Sequence, residues 1–146
     1  MRIIHLNAER RIIASAALAA ILSSGIATAV DQFPFEQELL LDAAPMRPGK
    51  RMPILTVESN GNANIDLWCK TVSARVDISG SNIKIEPGPL PEGLPEMLSA
   101  GQCTPERIKA DEKLLADFAQ VTVWQRENGG IVLAGPTPLK FRPSDH

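Results

Sequence analysis

Histidine is nearly missing from this chain: His5 stands close to the start, His146 is the last residue, and no imidazole lies between them. Ser-His-Asp and Cys-His catalysis, and zinc sites built on histidine, therefore lack the group that would titrate or ligate near neutral pH. Carboxylate catalysis would have to use Asp42, Asp66, Asp77 or Asp111, but nothing in their spacing selects a pair, and the expected place for all four is solvated surface. No catalytic residue, metal or cofactor is expected. Tyrosine is absent, and the aromatic set is Phe33, Phe35, Phe118, Phe141, Trp68 and Trp124. Both tryptophans lie in strand-like sequence, which favours core or sheet-edge packing, with a binding platform as the alternative.

Long hydrophobic runs are also missing. Ile12 to Leu22 is shorter than the ~20 residues a bilayer-spanning helix needs, and Ser23, Ser24 and Gly25 interrupt its continuation. With Arg10-Arg11 before it and Ala27-Thr28-Ala29 after it, the stretch 1–29 reads as a secretory signal peptide cleaved ahead of Val30. No cysteine follows that could carry a lipid, so stable membrane insertion after cleavage is not expected, and the mature protein is placed in the periplasm or outside the cell. Taking these 29 residues from 146 leaves 117, enough for one domain with a modest core. The leader removes three basic residues and one acidic from totals of 15 and 17, so 12 and 16 remain and the net charge is −4. Nucleic acid is disfavoured as a partner. The short basic cluster Arg47, Lys50 and Arg51 reads as a solvated loop rather than an anion site.

All twelve prolines follow the leader, which points to short strands bounded by turns. Leu39-Leu40-Leu41 fits either a strand or a helical turn. Ile54 to Val57 and Ala63 to Cys69 read as strands joined through Asn60-Gly61. Val72, Ala74, Val76 and Ile78 alternate with Ser73, Arg75 and Asp77, the signature of a half-buried strand, and Ser79-Gly80-Ser81-Asn82 turns it into Ile83-Lys84-Ile85. Pro87, Pro89, Pro91 and Pro95 mark a surface loop. A helix follows, with Thr104 as N-cap, Pro105 at its first position and Glu106 in its first turn. Ile108, Leu115 and Ala119, broadened by Leu114 and Phe118, form its expected buried line, and Lys109, Glu112, Lys113 and Asp117 face outward. Val121 to Trp124 and Ile131 to Leu133 form a hairpin through Asn128-Gly129-Gly130, and Leu139 to Arg142 supplies a last strand. Strands, one helix, then strands imply an α+β fold: a small antiparallel sheet of hairpins, barrel-like, packed with one amphipathic helix.

Cys69 and Cys103 are the only thiols, and in an exported chain the expected outcome is a disulfide. The bond would close a loop of 35 residues, worth about 4 kcal/mol by the loop-entropy argument. Two free buried thiols are one alternative, and a redox or metal role is another, disfavoured because the pair is not a Cys-x-x-Cys and no third ligand is visible. If the strand ran on regularly, Trp68 and Cys69 would point to opposite faces, so one of them would mark a second buried surface under the helix.

The order of these blocks resembles the META-domain family of bacterial envelope proteins, across roughly Ala63 to Arg142. The residues that carry it are Leu67-Trp68-Cys69, the hairpin from Ile78 to Ile85, Gln102-Cys103-Thr104-Pro105-Glu106, Asp111 with Leu114-Leu115, and Val121-Thr122-Val123-Trp124. Gly130, Leu133-Ala134-Gly135 and Leu139-Lys140-Phe141 complete the match. The family's Gly-Cys-Asn start to the first block is replaced here by Leu67-Trp68-Cys69-Lys70, which implies a divergent member. The resemblance implies a compact antiparallel β domain with one helix, no assigned catalytic residue, and roles in envelope stress, secretion and motility. It divides the chain into the leader 1–29, an N-terminal extension 30–52 and a META-like domain 53–146. The expected function is an exported, non-catalytic domain that binds a protein or envelope component in stress tolerance, with Glu92, Leu94, Trp68 and Trp124 as candidate contact residues. A small periplasmic protease inhibitor, presenting the Pro87–Pro95 loop or the mature N-terminus, is the alternative.

Overall fold

A computed structural model describes residues 32–92, 101 and 103–144, all within one compact unit spanning Asp31–His146. Residues 1–29, expected to be a leader, and the expected cleavage site lie outside the described residues, as does Leu94. Eight antiparallel strands, each paired to the next, form a closed barrel: β1 (Glu38–Leu41), β2 (Ile54–Val57), β3 (Asn62–Asp66), β4 (Thr71–Ser79), β5 (Asn82–Pro87), β6 (Val123–Glu127), β7 (Gly130–Ala134) and β8 (Leu139–Pro143). Helix α1 (Pro105–Gln120) is inserted between β5 and β6 and is the one helix among the described residues.

The period-two pattern sets the core. Val72 and Val76 of β4, Ile83 and Ile85 of β5, and Leu55 and Val57 of β2 are buried, while the residues between them face outward or lie half-exposed. Hairpin turns follow the local chemistry. Asn128 (φ 49°) and Gly129 (φ 81°) both take positive φ between the paired residues Glu127 and Gly130, as a primed two-residue turn requires. Gly130 has a second constraint, because a Cβ there would lie 1.9 Å from the Phe141 carbonyl oxygen across the β7–β8 ladder.

Of the two readings of Leu39-Leu40-Leu41 the strand holds, and two other expectations are corrected. Leu39-Leu40-Leu41 forms a stave that pairs with β2 on one side and with β8 on the other, so the barrel closes through a segment of the stretch 30–52. The ladder, with long-range partners at Arg142 and Phe141, joins Leu39-Leu40-Leu41 to the rest of the barrel. The strand expected over Ala63 to Cys69 ends at Asp66, and 67–70 form a connection in which the Leu67 amide donates to the Lys70 carbonyl at 2.7 Å. Leu67, Trp68 and Cys69 are consequently all buried, with no alternation. The buried face of α1 is Arg107, Asp111, Leu114 and Phe118, while Ile108 and Leu115 are half-buried and Ala119 is exposed. Two ionisable residues at helical spacing occupy the upper half of this face, a pattern that hydrophobicity alone assigns to solvent.

The expected N-cap is present: the Thr104 hydroxyl accepts from the Arg107 amide at 3.3 Å. Phe118 is fully buried and stacks on Phe141 at 5.8 Å between ring centroids, fixing the lower part of α1 to β8. The ladder between β5 and β6 is short, with Asn82 opposite Val123 as its one registered pair, supported by Ile83 N to Thr122 O at 3.0 Å and Trp124 N to Ser81 O at 2.9 Å.

Candidate functional site

Helix α1 carries its two buried ionisable side chains one turn apart, and each reaches main-chain groups of a different segment. Asp111 accepts from the Cys69 amide at 3.2 Å (Oδ1) and 3.1 Å (Oδ2) and from the Lys70 amide at 3.0 Å. The Trp68 amide also donates to it. The carboxylate thus serves as the cap that the 67–70 connection needs, since its successive amides point inward away from water. Burial pushes the Asp111 carboxyl above the ordinary carboxylate value of 3.8, against the opposing pull of these three amides and of the Arg51 charge. Arg107 turns the other way. Its Nη2 donates to the carbonyls of Met46 (2.5 Å) and Pro48, tying the loop between β1 and β2 to the helix. Arg51 donates through Nε to the Leu67 carbonyl at 3.1 Å, so one member of the basic cluster is committed to the same connection.

Cys69 and Cys103 are brought together beside this pair. They stand as separate buried thiols in hydrogen-bond contact rather than as the expected bridge. The Cys69 thiol is pushed up to about 12 from 9.0, first by burial, then by the hydrogen bond and charge of Cys103 and by the charge of Asp111, with Arg107 acting in the opposite sense. A thiol so placed is protonated at neutral pH and is a poor nucleophile in this state. Asp111 differs from the surface carboxylate expected of it: it is fully buried, with its oxygens directed at backbone amides. The signal that could have revealed Arg107 and Asp111 is positional. They sit seven and three residues before Leu114, on the side of the helix that Leu114 and Phe118 define.

A groove of about 370 Å³ runs between α1 and the barrel rim. Leu41, Trp68, Leu114 and Leu139 give it an apolar floor, and Asp42, Lys113, Asp117 and Lys140 border it. Lys113 pairs with Asp117 at 2.8 Å, and Lys140 with Glu127 at 3.8 Å. Trp68 is 6% exposed and lies in the floor of this groove. Trp124 is 5% exposed, donates its Nε1 hydrogen to the Gly80 carbonyl at 2.8 Å, and meets Phe33 edge-on at 5.3 Å. Neither tryptophan forms an exposed platform, because both rings have been taken up by packing. Glu92 is exposed, distant in sequence from both. Among the described residues there is no cluster of three His, Cys, Asp or Glu suited to a metal, and no helix long and apolar enough to cross a membrane. Comparison with family models, curated proteins and solved structures finds no match to this chain.

Proposed function

We propose that the chain is an exported, non-catalytic envelope domain, a divergent relative of the META domains, that binds a protein or another envelope component and acts in stress tolerance after loss of residues 1–29. One observation carries this reading: the buried ionisable groups of α1 are turned toward the protein's own backbone, while the recess beside them has an apolar floor and a rim of both charges. Such a recess is suited to recognition, with the floor supplying area and the rim orientation. Trp68 of the Leu67-Trp68-Cys69 block and Leu114 and Leu139, all among the residues that carry the family resemblance, line this recess. The inhibitor reading receives less support, since Phe33 and Pro34 near the expected mature N-terminus are buried in the domain rather than presented from it.

The test is affinity capture from envelope extract with purified protein, comparing wild type with Ala110→Arg and Lys113→Glu, which fill or reverse the groove wall. Recovery of the principal captured component falls by about tenfold or more in both variants while their unfolding transitions stay cooperative. Undiminished capture by both would move recognition away from the groove, and stoichiometric inhibition of an envelope protease by the wild type would favour the inhibitor reading.

A further inference from the structure

We infer that Cys69 and Cys103 are a thiol–disulfide exchange site, oxidised in a fixed order by a disulfide-bearing oxidant that attaches first to Cys103, and that the finished bond clamps the start of α1 to the β3–β4 connection. The geometry supplies the order. Cys69 is 2% exposed, follows the buried Trp68 and has its amide held by the buried Asp111, whereas Cys103 is 7% exposed and lies two residues from the exposed Gly101 on one side and the exposed Pro105 on the other. An incoming disulfide therefore meets Cys103 from the helix N-terminal side. The two buried thiols are neighbours, so the second step is an approach over a short distance.

The chemistry balances as two exchanges. The Cys103 thiolate attacks one sulfur of the oxidant, forming a mixed disulfide and expelling one thiolate. Cys69 then gives up its proton and attacks the Cys103 sulfur, forming the Cys69–Cys103 bond and expelling the second thiolate. Two electrons pass from the protein to the oxidant, and the two protons lost by the cysteines end on the released thiols. The barrier to early reaction at Cys69 is electrostatic: burial, the Cys103 hydrogen bond and the Cys103 charge hold it as a thiol.

Oxidised glutathione is a direct probe, applied to the purified full chain with acid-quenched samples mapped by mass spectrometry. Wild type passes through an adduct on Cys103 and ends lighter by two hydrogen atoms, with a melting temperature raised by roughly 10–20 °C that dithiothreitol reverses. Cys69→Ala stops at the Cys103 adduct. Cys103→Ala leaves Cys69 unmodified in native buffer and modified in denaturant. An adduct appearing first on Cys69 in wild type, a stable double adduct, or no internal bond at all would overturn the inference. Because the wild-type time course reads the order by itself, the result stands even if either alanine variant folds poorly.

Discussion

At the end of the barrel beyond the β3–β4 connection, closure is polar as well as apolar: Asp111 gathers the amides of 68–70, Arg107 gathers the carbonyls of Met46 and Pro48, and both act on the buried Cys69 thiol. Beyond the β2–β3 turn, the segment Phe33–Phe35 packs its first ring on Trp124, and the Glu36 amide donates to the Val57 carbonyl at 2.8 Å. Its polar contacts are at the margin, where the Arg126 guanidinium donates to the Gln32 carbonyl at 3.2 and 2.6 Å and the Glu36 carboxylate accepts from the Ser59 amide. One end is thus sensitive to proton and thiol chemistry, while the aromatic packing of the other depends on shape and area. Fastening the helix end by hydrogen bonds to main chain fixes geometry that apolar contacts alone would leave adjustable, and it makes that end the place where solution conditions are felt.

The largest effects test whether the two ends are equal in packing energy. Phe118→Ala and Phe33→Ala each cost about 3–5 kcal/mol in urea unfolding, since each removes a buried ring packed against another aromatic, stacked for Phe118 and edge-on for Phe33. If the Phe33 variant were nearly neutral, the aromatic end would be an appendage rather than a closure.

A smaller change separates the ends by pH. Asp111→Asn costs about 2 kcal/mol near neutrality through loss of charge-assisted bonds to the 68–70 amides. Because the folded carboxyl has its pKa raised above 3.8, the folded state holds more protons than the unfolded chain between that value and the raised one. The stability from this protonation is fully present below 3.8 and declines as pH rises through the window, so the cost of Asp111→Asn grows on acidification. The penalty of Phe33→Ala over the same series stays flat. Equal pH slopes in the two variants would erase the distinction between the ends.

The smallest effect is local to the helix start. Thr104→Ala removes the hydroxyl that caps the Arg107 amide and costs about 1 kcal/mol, measured in the same unfolding series.

Much of this fold is legible from short-range pattern. Val72, Ala74, Val76 and Ile78 alternate because one face of β4 is inside, and Asn128-Gly129 marks a hairpin because both positions need positive φ. Closure of the barrel is not legible in that way. Leu39-Leu40-Leu41 has no alternation, and its β8 partners are about a hundred residues away, so local sequence carries no record of the pairing. The helix face is displaced from Ile108, Leu115 and Ala119 because Arg107 and Asp111 lie buried where hydrophobicity assigns charge to water. Proximity of the thiols follows from the sequence argument, yet their oxidation state depends on an exchange partner and is not encoded in spacing. The candidate site was partly legible for the same reason: Cys69 and Cys103 stand out by scarcity, while a carboxylate folded inward looks like any other aspartate until its amide donors are known.

The short β5–β6 ladder has a consequence for how the protein meets its neighbours in a crowded compartment. A closed sheet offers no row of unpaired amides and carbonyls for another chain to extend, but a seam with one registered pair leaves part of β5 beyond the reach of β6. Helix α1 lies along β5. A helix packed there narrows the approach of a second chain to β5, so replacing its β5-facing contacts is expected to raise the tendency to associate through that seam.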